Sequence, residues 1–238
     1  MADKAPKIVE SQRADVDEFL EKLAAAPVRR QAEPRGRLIF ALDATMSRQP
    51  TWDRACHIQA NMFSEAASVG ALDIKLIYFR GHRECKASKW YSESPPLLNA
   101  MTRIYCQGGY TQIERVLKRT LKEARDGPVS ALVYVGDACE EEVDRVCGIA
   151  GQLGVRGVPA FMFQEGREPY AEGVFREVAR LSGGAYCRFD EGSADQLKDL
   201  LSAVAVFAAG GRRALVDYGK ARGGEVLRLA NMMKGGKS

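Results

Sequence analysis

The sequence predicts a doubly wound α/β fold, and three observations carry that prediction. Short, almost wholly apolar runs recur, as in Leu38-Ile39-Phe40-Ala41-Leu42 and Ala131-Leu132-Val133-Tyr134-Val135. Runs of this kind between turn residues read as strands covered on both faces. They alternate with longer stretches of helical period, which implies a mostly parallel sheet, helices on both of its faces and right-handed crossovers. Finally, the chain has 238 residues, 46% hydrophobic and 28% charged, as a globular protein with one large domain would. The expected sheet has six strands, one of them an antiparallel edge strand.

The elements follow in order. Residues 1–35 read as an amphipathic helix and a linker. Val16, Phe19, Leu20 and Leu23 recur at helical spacing between Val9 and Ala25, and Pro27, Pro34 and Gly36 then break the pattern. Residues 36–211 carry the alternation. The first strand is Arg37 to Asp43, followed by a helix from Thr51 to Ser68. A second strand, Ile74 to Arg80, turns at Gly81 into Glu84 to Tyr91. There Cys85, Ala87, Lys89 and Tyr91 would share one face of the antiparallel edge strand. Pro95-Pro96 opens a short helix, since proline suits a first turn. Gly108-Gly109 precedes a helix from Thr111 to Arg125. Strands at Ser130–Gly136, Pro159–Gln164 and Ala185–Phe189 each lead into a helix: Glu140–Leu153, Pro169–Leu181 and Ser193–Ala208. Ser193 would cap the last and Gly210-Gly211 would stop it. Residues 212–238 form a third unit, a basic helical extension with Leu215, Val216, Tyr218, Val226, Leu227, Leu229 and Met232 on its apolar side.

Composition narrows the function classes. The N-terminus, Met-Ala-Asp-Lys-Ala-Pro-Lys, lacks the apolar run of a secretory signal, and no stretch is long enough to span a bilayer, so the expectation is a soluble cytoplasmic protein. Six cysteines without a C-x-x-C pair and only two histidines argue against zinc, and the expected cytoplasmic setting argues against a disulfide framework. Cys139 stands apart because it lies two residues past Asp137. Net charge is +4, concentrated as +5 in residues 212–238. That tail reads as a solvated end or as a contact for an acidic partner or nucleic acid. No RNA-binding aromatic motif accompanies it, which sets nucleic acid aside as a lesser alternative.

The chemistry concentrates at strand ends. Asp43 and Asp137 each follow an apolar strand, and Thr45, Ser47 and Thr111 stand in the adjoining loops. Ligands of open α/β sheets bind at the carboxyl ends of strands, so two carboxylates and three hydroxyls would meet at one edge. Hard oxygen donors of this kind suit Mg²⁺ or Mn²⁺. The competing reading is that these groups cap helices and satisfy loop amides.

Asp43-Ala44-Thr45-Met46-Ser47, Thr111 after Gly-Gly, and Asp137 after a strand resemble a von Willebrand factor A (VWA) domain with its metal-ion-dependent adhesion site (MIDAS), D-x-S-x-S with Thr45 for the first serine. The resemblance spans about residues 36–211 and implies a Rossmann-like VWA fold. It implies that Thr45 and Ser47 hydroxyls bind Mg²⁺ or Mn²⁺ directly, Thr111 directly or through water, and Asp43 and Asp137 mostly through water. Hydroxyl ligands leave the cation much of its charge, so an open position attracts an anionic oxygen, in this family a Glu or Asp carboxylate of a partner protein. Intracellular bacterial members serve as adaptors in ATPase, chaperone or stress-resistance systems, so the resemblance implies a non-enzymatic, metal-dependent protein-interaction module. Around the site, Trp52 and Tyr110 read either as partner contacts or as packing, Glu140-Glu141-Glu142 as the acidic first turn of their own helix, and Arg54, His57, Arg80, His82 and Arg83 as solvated charge.

The rival enzyme reading is a haloacid-dehalogenase-like phosphatase, with Asp43 as nucleophile. That chemistry needs a second aspartate two residues on as general acid/base, where this chain has Thr45. Gly235-Gly236-Lys237-Ser238 imitates the end of a phosphate loop but lacks the upstream glycine.

Overall fold

The structure, a computed structural model, describes residues 5–28, 35–51, 72–190 and 194–222. The helix expected from Thr51 to Ser68, with Trp52, Arg54, Cys56 and His57, lies almost wholly outside the described residues, as do the Ser193 cap and residues 223–238.

Six strands form one sheet: β1 (Gly36–Asp43), β2 (Leu72–Arg80), β3 (Glu84–Tyr91), β4 (Ala131–Gly136), β5 (Ala160–Glu165) and β6 (Tyr186–Phe189). Their spatial order is β3-β2-β1-β4-β5-β6, and all pairs are parallel except β2 with β3. The expected mixed α/β sheet is therefore present, with its antiparallel strand on the edge. The strand order reverses between β1 and β4, where the crossovers diverge and leave a crevice at the strand ends.

Side-chain alternation divides the core in two. Leu38, Phe40 and Leu42 of β1 face a layer made by α1 (Ala5–Ala25), α2 (Ser94–Thr102) and α6 (Ala194–Arg222). Phe19 of α1 stacks 5.9 Å from Phe161 and 5.1 Å from Phe163, so this helix belongs to the central packing. Ile39 and Ala41 face the other layer, α3 (Ile113–Asp126), α4 (Val143–Val155) and α5 (Pro169–Ser182). Asp43 follows Ile39 and Ala41 in parity, and Tyr134 pairs with Ala41 in the neighbouring strand.

Gly211 takes φ 68° and ψ −160° and breaks the last helix where a stop was expected; a second helical segment follows to Arg222 and returns Leu215 to the core. Two local expectations are corrected. The edge strand does not keep one face. A register shift between Lys75 and Ile77 opposite β3 puts Trp90 on the core layer of Cys85 and turns Tyr91 to the other layer. The helix after β4 begins at Val143, so Glu140 and Glu141 lie in the loop before it.

Candidate functional site

The loops leaving β1 and β4 build the site upward from the strand ends. Asp43, the last residue of β1, is fully buried. Its Oδ1 accepts a hydrogen bond from the Thr45 backbone N–H at 2.7 Å, which bends the chain at once. The Thr45 and Ser47 hydroxyl oxygens then stand 3.1 Å apart. The backbone N–H of Arg48 donates to the Thr45 carbonyl at 3.1 Å and starts a 3₁₀ turn, Met46–Thr51. The loop 103–111 packs alongside, its Gln107 N–H donating to the Ala44 carbonyl at 3.0 Å. Gly109 is required here, because a Cβ on it would lie 2.1 Å from the Gly81 carbonyl oxygen.

The second half centres on Thr111. Its hydroxyl accepts from the Glu140 N–H at 3.0 Å, and its own N–H donates to Glu140 Oε2 at 2.8 Å. Glu141 reaches over the start of α3 and accepts from the backbone N–H groups of Ile113 and of Glu114, the latter at 3.0 Å. Glu140 and Glu141 therefore serve the start of the neighbouring helix, where first-turn amides lack partners, while Glu142 pairs with Arg145 of the helix it precedes. Burial raises the Glu141 pKa while those amides oppose the rise. The Cys139 thiol is buried and pushed up to about 11, so it is no activated nucleophile.

The two halves meet at Asp137, just past β4. Asp43 and Asp137 repel each other electrostatically. Asp43 Oδ2 and Asp137 Oδ1 are shielded from solvent, and neither has a hydrogen-bond partner among the described residues. Burial, with the Asp137 charge added, pushes the Asp43 carboxyl up to about 7, against the hydrogen bonds from Thr45 and the charge of Arg48. Beneath them lies the fully buried Tyr134, whose phenol is held well above its ordinary pKa by burial and by the Asp43 charge. Its hydroxyl also lacks a partner among the described residues.

Arg48 escaped the sequence reading. It is only 2% exposed, ion-paired with Glu165 at the end of β5, and interacts electrostatically with both Asp137 and Asp43. Burial lowers its pKa, and the two aspartates oppose that shift. An arginine after a serine in a polar loop gives no sign of burial, and its partner stands more than a hundred residues away. Gln112 was missed for the same reason. It is buried, and its side-chain amide donates to the carbonyls of Arg80 and Gly81, each at 3.2 Å, clamping the β2–β3 turn. Arg80 is not the solvated charge expected. It is 8% exposed, ion-paired with Glu84 at 3.0 Å and stacked over the Tyr105 ring at 4.0 Å. Tyr110 is exposed beside Thr111, which leaves it available on the rim with Met46 and Tyr105.

The donor set fits a small, hard divalent cation. Two buried carboxylate oxygens have no hydrogen-bond partner among the described residues, and the Thr45 and Ser47 hydroxyls add neutral oxygens. Thr111 is bonded to Glu140, three residues beyond Asp137. Among the described residues no group of three or more His, Cys, Asp or Glu side chains forms a metal cage, as a set of two carboxylates and three hydroxyls would not.

No protein-family description and no curated protein matches this sequence. Solved structures do resemble the fold. A von Willebrand factor type A protein from Catenulispora acidiphila superposes with a TM-score of 0.57 at 15% identity, over 72% of this chain and 43% of that one. An aerotolerance-related membrane protein from Bacteroides fragilis gives 0.56 at 14% identity, over 71% of this chain and 98% of that one. The SpRpn10 VWA domain gives 0.54 at 11% identity, over 72% of this chain and 94% of that one. The chain thus has a VWA-like fold, and it spans less than half of the Catenulispora protein. Among the described residues, no helix is long and apolar enough to cross a membrane.

Proposed function

We propose that this chain is a non-enzymatic protein-interaction module that recognises an acidic residue of a partner protein through a MIDAS-type Mg²⁺ or Mn²⁺ ion. The observation that carries this reading is the pair of buried carboxylate oxygens of Asp43 and Asp137, without hydrogen-bond partners among the described residues, with the Thr45–Ser47 hydroxyl pair at the point where strand order reverses. Two carboxylates held together at this edge face the single charge of Arg48, and a further cation lowers the cost of keeping both ionised. Asp43, Thr45, Ser47, Thr111 and Asp137 would hold the ion. The ion would supply a Lewis-acidic position for an incoming carboxylate, and the exposed Tyr110, Tyr105 and Met46 would give a rim of apolar contact. The resemblance to VWA folds supports an interaction role in general. A cytoplasmic adaptor in an ATPase, chaperone or stress-resistance assembly is the biological form this reading takes.

Phosphatase chemistry at Asp43 is disfavoured by the residues themselves. Thr45 stands where proton transfer would need a carboxylate, and Asp43 is buried and tied to the Thr45 amide.

Calorimetric titration of the purified protein with Mn²⁺ and Mg²⁺ tests the proposal, with Asp137→Ala and Thr111→Ala as controls. Binding to the unmodified protein that is lost in both variants, while each still unfolds cooperatively, is the expected result. No heat of binding from the unmodified protein would overturn metal dependence.

A further inference from the structure

The site already contains a cation. Arg48 follows the D-x-T-x-S segment directly, and the 3₁₀ turn that starts with the Arg48 N–H to Thr45 carbonyl bond directs its side chain inward, leaving 2% of it exposed. Three carboxylates from three strand ends act on its charge: Glu165 from β5 as an ion pair, and Asp43 from β1 and Asp137 past β4 through their fields. Glu165 is the direct ion-pair partner, and its own side chain is 15% exposed, so it stands on the outer side of the cluster. A buried guanidinium needs compensating anions and is rarely placed without them.

We infer that Arg48 is the resident counter-ion of the Asp43–Asp137 pair, that a divalent cation must compete with it, and that Glu165 is the anchor which holds the guanidinium aside when the metal enters. The inference rests on the reading of this edge as a cation site.

The physical logic is charge balance. Among the described residues, the two aspartates and Glu165 set three carboxylates against the one charge of Arg48, a balance that favours a further cation. The guanidinium is planar and weakly hydrated, so it tolerates burial where a lysine ammonium would draw in water. Its long stem lets the charge shift between Glu165 and the aspartates without leaving the cluster. The chain would therefore stay folded without metal, at the expense of weaker metal affinity than the same donors would have alone. Such a device makes metal loading, and with it partner capture, responsive to divalent-ion concentration instead of permanent.

Mn²⁺ titration of the full chain and of three variants tests this. Arg48→Gln removes the charge and is expected to bind Mn²⁺ at least tenfold more tightly than the unmodified protein. Arg48→Lys keeps the charge and is expected to stay within about threefold of it. Glu165→Gln withdraws the outer anchor and is expected to weaken Mn²⁺ binding several-fold. Equal or weaker binding by Arg48→Gln would overturn the inference while the cation site itself stood, as would equal tightening by both Arg48 variants, since packing rather than charge would then be responsible. Absence of Mn²⁺ binding in every protein would overturn both this inference and the metal reading beneath it. Thermal melts in chelator give a second readout. Arg48→Gln is expected to melt lower than the unmodified protein, and adding Asp137→Asn to it is expected to restore part of the loss. Independent, additive effects of the two substitutions would also overturn the inference.

Discussion

The loop after β1 and the junction of Thr111 with Glu140 and Glu141 lie at the same edge of the sheet, and they treat polar groups in opposite ways. At the junction, the first two amides of α3 meet a carboxylate that closes over them. Thr111 and Glu140 exchange two hydrogen bonds, and Glu141 takes the amides of Ile113 and Glu114. The β1 loop instead buries a carboxylate with one oxygen bonded and one without a partner among the described residues, and sets a guanidinium beside it. The first arrangement is scaffold, complete in the protein alone. The second holds strain that a ligand can relieve, and buried polar groups left partly satisfied are where function is to be sought.

The sharpest way to break this contrast is Asp43→Asn. Asp43 has a folded-state pKa of about 7 against an ordinary value of 3.8. The native state therefore binds this proton more tightly than the unfolded chain does, and stability falls as pH rises from about 4 through 7 before levelling. A shift of that size corresponds to at most about 4 kcal/mol. The asparagine carbonyl still accepts from Thr45, so the variant keeps the turn and loses the charge. Urea unfolding in chelator at pH 5 and pH 8 is expected to show a variant more stable than the unmodified protein at pH 8, with the difference shrinking at pH 5. An unchanged pH slope would show that Asp43 is not the strained group.

Glu141→Ala attacks the other side. It removes the acceptor of two helix-start amides, and loss of such a cap costs about 1–3 kcal/mol. Chemical denaturation is expected to show that loss with Mn²⁺ affinity unchanged, and Glu141→Gln is expected to recover part of it. If Glu141→Ala abolished metal binding without loss of stability, the two regions would not be the separate scaffold and site described here. Thr111 belongs to both. Thr111→Val removes the acceptor for the Glu140 amide, with an expected loss of about 1 kcal/mol. It should also weaken Mn²⁺ binding, whereas Thr111→Ser should preserve both, and calorimetry beside denaturation separates the two effects.

How much of this was legible beforehand follows the range of the interactions. Apolar runs such as Ala131 to Val135 specify strands locally, and Glu84–Tyr91 was placed residue for residue because turn and strand signals adjoin it. Asp43, Thr45 and Ser47 were legible as a group because a single loop carries them. The direction in which Glu140 and Glu141 act was not, since their composition suits the start of the helix they precede, and only the packing of α3 against α4 shows which amides they reach. Gly211 reads as a stop signal and breaks the helix, and the apolar Leu215 beyond it marks the segment that returns to the core. Arg48 was invisible because its burial depends on Asp137 and Glu165, residues brought to it by strand order alone.

The smallest expected change in stability is also the most discriminating. Ser47 is exposed, and its hydroxyl meets only the Thr45 hydroxyl at 3.1 Å among the described residues. Ser47→Ala removes one exposed hydroxyl, so unfolding free energy should move by no more than about 0.5 kcal/mol. A ligand oxygen is worth far more to a cation than to the fold, because the ion must keep water or another donor in its place, and loss of even a supporting partner lowers metal affinity by roughly tenfold or more. Ser47→Ala should therefore weaken Mn²⁺ binding by about that factor at unchanged stability. Unchanged affinity would leave Ser47 as an ordinary turn residue and confine the cation to Asp43, Asp137 and the threonine hydroxyls, where it meets the competing charge of Arg48.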